Sequence, residues 1–203
     1  MDIQSTPTEL TLWVVISANT QWPGDPIIGA MSRRLGHAAI KPTATHAFLV
    51  LREPSGNVYA IEAVPHKGVH LFTMDEKRGQ CLRWYCVPGT NEQIRRIWDE
   101  AERHLNRPYD WIGLVLVLLF MLLKRPSLFY IRRAELFCSA LVVWTLKVAG
   151  FDVLPGVHID NVDPARLDGV LAIRGWGCDA PDWFIAPQGN DVRPTPDPDH
   201  SHL

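Results

Sequence analysis

Positive charge is not in surplus in this chain of 203 residues, where 20 Lys and Arg stand against 22 Asp and Glu for a formal net charge of -2. No global field of the kind that draws a protein onto nucleic acid exists, and nucleic acid is not an expected partner. Cysteine is scarce as well. Cys81, Cys86, Cys138 and Cys178 show no repeated short pairing, and the first residues lack a basic segment followed by an apolar core and a small-residue cleavage site. The expectation is a cytoplasmic chain with free thiols. No Gly-rich phosphate cradle and no internal repeat occur. His66 and His70 have i,i+4 spacing, but Pro65 and Gly68 oppose a helix there and no neighbouring Cys or acid completes a zinc set. Neither a metal nor a cofactor is expected.

What remains is ordinary globular composition, 47% hydrophobic and 21% charged, which excludes a low-complexity scaffold or a collagen-like fibre. The sequence predicts one domain over residues 1–187 and a polar, proline-containing, disordered tail over 188–203. One segment departs from the ordinary: Trp111 to Leu123 is thirteen apolar residues long, followed by Lys124, Arg125, Arg132 and Arg133 with no acid between them. As a helix it would be about 20 Å long against about 30 Å of bilayer hydrocarbon, so it does not span alone. Two readings stay open for this apolar insertion. It is a helix buried in the core or under a protein partner, or an in-plane membrane contact whose basic flank meets anionic head groups.

Residues 9–18 are rich in β-branched and aromatic side chains and read as a strand. Asp25 and Pro26 open a short helix that Gly36 ends. Residues 45–52 and 57–64 are two strands parted by Glu53-Pro54-Ser55-Gly56, which is hairpin chemistry, and 81–87 forms a further strand. Thr90 with Gln93 makes a capping box, and Ile94, Ile97, Trp98, Ala101 and Leu105 recur at helical spacing, predicting a helix over 91–105. Residues 136–149 are apolar nearly all round, a core helix stopped by Gly150. Asp163 and Pro164 open a last short helix running to about Ile173.

Chemistry centres on three of these residues. A thiol near the start of a buried helix, as Cys138 is, meets helix-dipole charge and unpaired N–H groups that favour thiolate, although a lone cysteine there also serves as a small core residue. His46 heads a buried strand and needs a polar partner. If Arg52 pairs with Gly56, His46 faces Glu62 directly; if Glu53 pairs with Asn57, Glu62 is its diagonal neighbour on the same face. Only a two- or four-residue loop would put them on opposite faces. Glu62 is therefore either the group that orients His46 or a solvent-facing residue on a half-exposed strand.

Thr45-His46 before an apolar strand, the acid of Ile61-Glu62-Ala63, Pro108-Tyr109-Asp110 and Phe137-Cys138-Ser139-Ala140-Leu141-Val142, in that order, resemble the circularly permuted NlpC-type papain-like cysteine hydrolases. This superfamily includes bacterial proteins of amidase or peptidase type and the lecithin retinol acyltransferase-like enzymes. The resemblance runs from Leu10 to Asp168, and Val162 to Leu167 looks like the proline-containing helix start that follows the cysteine helix. It implies an α+β, papain-like fold whose small antiparallel sheet packs against the cysteine-bearing helix. It also implies a catalytic triad with Cys138 as nucleophile, His46 as base and Glu62 as third, polar member. Tyr109 and Ser139 are further candidates for oxyanion or substrate contacts, beside the reading of Tyr109 as a packing aromatic. Ala140 departs from the pattern, since a polar residue often stands there. The expected activity is thiol hydrolysis or acyl transfer through an acyl-enzyme on an amide substrate of peptide or peptidoglycan type. Ester or lipid acyl chemistry at a membrane surface is the alternative, and a binding module that has lost catalysis is the reading from another class.

Overall fold

The computed structural model describes residues 9–18, 25–34, 36, 40–109, 137–159 and 162–185. The apolar insertion Trp111–Leu123 and the tail 188–203 lie outside them. β-Branched and aromatic residues make Thr11–Ala18 the strand β1, which is buried along nearly its whole length. Helix α1 (Asp25–Arg34) follows, then β2 (His46–Arg52), β3 (Val58–Val64), β4 (Gly68–Phe72), a 3-10 turn at Met74–Lys77 and β5 (Cys81–Cys86). Helix α2 (Asn91–Glu102), helix α3 (Cys138–Val148), helix α4 (Pro164–Ile173), the two-residue β6 (Gly177–Cys178) and the single turn α5 (Asp182–Ile185) complete the order. The strands form one antiparallel six-stranded sheet in the order β4-β3-β2-β1-β5-β6, and the fold is α+β.

Both faces of the sheet are covered, which is why β1 and β2 read as continuous rather than alternating hydrophobic runs. Leu12, Val14 and Ile16 of β1 join Ala47, Leu49 and Leu51 of β2 on one face, packed with Ile97 and Trp98 of α2 and Leu141 and Leu146 of α3. Trp13, Val15, Phe48, Val50 and Trp84 form a second core on the other face, closed by Phe72, Met74 and the half-buried Trp183 and Phe184. Trp13, Trp84 and Trp183 meet edge to face at 5.9–6.1 Å between ring centroids.

Three elements differ from the sequence reading. The chain after Val64 does not stay a loop: Gly68 turns it, at φ +69°, into β4, which pairs Glu62 with His70. Helix α2 ends at Glu102 rather than Leu105, because Asn106, at φ +63°, turns the chain so that its N–H reaches Val69 O. The third addition, β6, puts Gly177 and Cys178 against Tyr85 and Trp84. Among the described residues, no helix is long and apolar enough to cross a membrane.

Candidate functional site

Register decides whether His46 and Glu62 meet. The β2–β3 hairpin closes with Glu53 N–H on Asn57 O at 2.9 Å, and Leu49 stands opposite Ile61. Of the two pairings open in the sequence, this is the one that makes Glu62 the diagonal same-face neighbour of His46. The side chains meet there: His46 Nε2 donates to Glu62 Oε2 at 2.6 Å, with both residues buried. Cys138 is the other group coupled to the His46 imidazole, and it favours the charged ring.

Cys138 is the first residue of α3, behind Phe137 at the N-cap position. A phenyl ring accepts no hydrogen bond, so the capping side chain takes none of the N–H groups that open the helix. The helix begins where it does because Leu141, Val142 and Leu146 bury against the sheet and carry the thiol to the end of β2. Positive helix-end potential and a thiol thus coincide.

Glu62 carries more than the histidine. Its Oε2 also accepts from the Lys77 ammonium at 2.7 Å, and its Oε1 lies 3.7 Å from His70 Nε2. Lys77 is itself buried, with its ammonium 4.6 Å from the Phe72 ring centroid and 5.4 Å from that of Phe48. Burial favours the neutral acid, yet the hydrogen bonds and charges of His46 and Lys77 prevail and hold the Glu62 carboxyl down at about 2. Burial likewise opposes charge on His46. Cys138 first, through charge and hydrogen bond, and then Glu62 outweigh it and raise the imidazole from 6.5 to about 9.

The other expected site residues lie elsewhere. Ser139 is fully buried and donates its hydroxyl to Val162 O at 2.5 Å, tying α3 to the residue before the Asp163 cap of α4. Tyr109 is buried within the hydrophobic core, and Ala140 is fully buried there, so the position where a polar residue often stands faces packing atoms. An acid does stand beside His70, contrary to the sequence reading, because β4 brings that histidine opposite Glu62. Even so, among the described residues no group of three or more His, Cys, Asp or Glu could hold a metal ion.

Two groupings went unseen in the sequence. Lys77 lies in Met74-Asp75-Glu76-Lys77-Arg78, which reads as a solvated charge run; only the β4 hairpin returns it to Glu62. The second is a buried carboxylate, Asp168 of α4, which takes Arg83 Nε at 2.9 Å, Arg83 Nη2 at 2.8 Å and the Tyr85 hydroxyl at 2.6 Å. Burial and the Asp168 carboxylate push the Tyr85 hydroxyl up, keeping it a donor. A groove of about 700 Å³ opens beside it, walled by Arg83, Tyr85, Cys178 and Asp179, none of which belongs to the His46 cluster. Nη1 of Arg83 donates to Pro42 O at 2.9 Å, so each nitrogen of the guanidinium that borders the groove has a partner.

Compared with known families and curated proteins, the chain matches no family model and no curated sequence.

Proposed function

We propose that this protein is a cysteine hydrolase or acyltransferase of the permuted NlpC-type papain-like kind, acting on an amide carbonyl. The observation that carries the reading is buried His46 joined through Nε2 to Glu62 at 2.6 Å and coupled to Cys138 at the start of α3. Glu62 fixes the ring and its tautomer, which is the third member's role in a nucleophilic triad.

The steps follow from these positions. His46 takes the Cys138 proton, and the thiolate sulfur attacks the carbonyl carbon, pushing the C=O electrons onto oxygen. The N–H groups that open α3 face that developing charge, with the Cys138 N–H as one arm of an oxyanion hole. Collapse breaks the C–N bond, and the leaving amine takes the proton from His46, leaving a thioester. Water, or an amine or alcohol acceptor, then gives its proton to His46 as it attacks the thioester and releases Cys138.

The test is iodoacetamide labelling of each cysteine at pH 7, read by peptide mass, in the native chain and in His46→Ala. The reading expects Cys138 to label ahead of Cys81, Cys86 and Cys178 despite its burial, and His46→Ala to slow it by about tenfold or more, since thiolate is the nucleophile. A Cys138 that is inert, or that labels equally fast without His46, would sink it.

A further inference from the structure

Glu62 Oε2 accepts from two groups, and only one of them moves a proton in the reaction. His46 alternates between imidazolium and neutral imidazole, whereas Lys77 stays an ammonium against the Phe48 and Phe72 rings. While Cys138 is a thiolate and His46 an imidazolium, the four groups Cys138, His46, Glu62 and Lys77 sum to zero charge. Acylation turns the sulfur into a neutral thioester, and His46 delivers its proton to the leaving group. Glu62 and Lys77 then still cancel. Without the lysine, a buried carboxylate would face a neutral ring with no full cation against it, a state that burial makes costly.

We infer that Lys77 is a positioning residue that holds Glu62 as a carboxylate while His46 is neutral, and so keeps His46 free to act as base when the acyl group leaves Cys138. This role rests on the thiol-hydrolase reading. In acyl release a water O–H bond breaks, its proton goes to the neutral His46 ring, its oxygen bonds the carbonyl carbon, and the C–S pair returns to Cys138. That proton can be accepted only by an imidazole that has already lost its own. A lone Glu62 would retain a proton on His46 or take one itself, and either would block the step.

The titratable groups that face His46 and Glu62 are Cys138 from α3, His70 from β4 and Lys77 from the 3-10 turn. A merely structural lysine, bridging the turn to the sheet, would alter stability when removed without altering the proton affinity of His46. That difference is measurable in a Cys138→Ala background, which has no sulfur and so, like the thioester, puts no negative charge beside His46. The His46 ring is followed by nitrogen-detected NMR against pH in this parent, then with Lys77→Gln, which keeps a donor to Oε2 and drops the charge, and with Lys77→Arg. Lys77→Gln is expected to raise the His46 midpoint by about one pH unit, as loss of a nearby cation does, and Lys77→Arg to leave it within about 0.3 unit. An unmoved or lowered midpoint in Lys77→Gln overturns the inference.

Should Lys77→Gln fail to fold, the parent itself decides through the carboxyl carbon of Glu62. Its chemical shift is expected to hold the ionised value throughout the His46 titration, and a protonation coincident with loss of the His46 proton overturns the inference. Neither readout uses the thiol. Cys138 labelling that is independent of His46 would therefore remove the hydrolase reading whatever Lys77 does to the midpoint.

Discussion

Asp168 shows how much a single residue can anchor. Its carboxylate is 1% exposed and takes a bidentate Arg83 and the Tyr85 hydroxyl, joining α4 to β5 across the end of the sheet. Asp168→Ala would strand a half-buried guanidinium and a phenol together, and the expected loss is about 3 kcal/mol in urea unfolding. A loss below about 1 kcal/mol would show that water replaces the carboxylate without difficulty. The sequence exposes residues of this kind unevenly. Cys138, His46 and Glu62 stood out because each is a polar group set into an apolar run, although only the hairpin register decides that His46 and Glu62 share a face. Lys77 and Asp168 did not, because single charges near turns and in short helices look solvated until distant elements close over them.

At the scale of the element, the point of greatest constraint is the entry to β4. Gly68 holds φ +69° with the Arg107 carbonyl directly where a Cβ would sit, so an added methyl meets backbone, not a movable side chain. Gly68→Ala is expected to cost at least about 3 kcal/mol, read as a lowered midpoint in thermal unfolding, and to loosen His70 and Lys77 from Glu62. A drop under about 1 kcal/mol would mean that the turn relaxes freely. The same strand escaped the sequence reading. Its five residues follow a Pro65–Gly68 turn that argued against a helix without announcing a strand, and two-residue β6 has no periodicity to detect. The longer elements were readable: β1 from its β-branched run, β2 and β3 from the turn between them, α2 from its capping box and α3 from its unbroken apolar composition.

For the whole molecule, His46 and Glu62 set opposite limits on stability with pH. Glu62 sits at about 2 against its ordinary 4.5, so its contribution is present above about 4.5 and is lost as pH falls toward 2. His46 sits at about 9 against 6.5, so its contribution is full below about 6.5 and is lost as pH rises through 9. Thermal unfolding followed by circular dichroism is expected to show a plateau between about pH 4.5 and 6.5 with a fall on each side. The alkaline fall should shrink in His46→Ala; an alkaline limb of unchanged size in that variant would assign it to other groups. The α+β class and the packing of the sheet on the cysteine helix were legible through the family resemblance, which the order of the His46, Glu62 and Cys138 segments carries. The sixfold width of the sheet and the covering of its second face were not, since they depend on short pieces that gain order only from their neighbours.

The partners of Glu62 are separated from it by only 16 and 15 residues, His46 before it and Lys77 after it, all within three consecutive strands and the turn that follows. Cys138 comes from far along the chain. Short loops close with little entropic cost, and contacts of low sequence separation form early. During synthesis, the strands that carry His46, Glu62 and Lys77 can therefore pair while Cys138 has yet to leave the ribosome, and Cys138 meets His46 only when α3 docks. On the proposed thiol-hydrolase reading, a nascent chain built in this order carries no activated nucleophile through its early stages, and reactivity is the last property that folding confers.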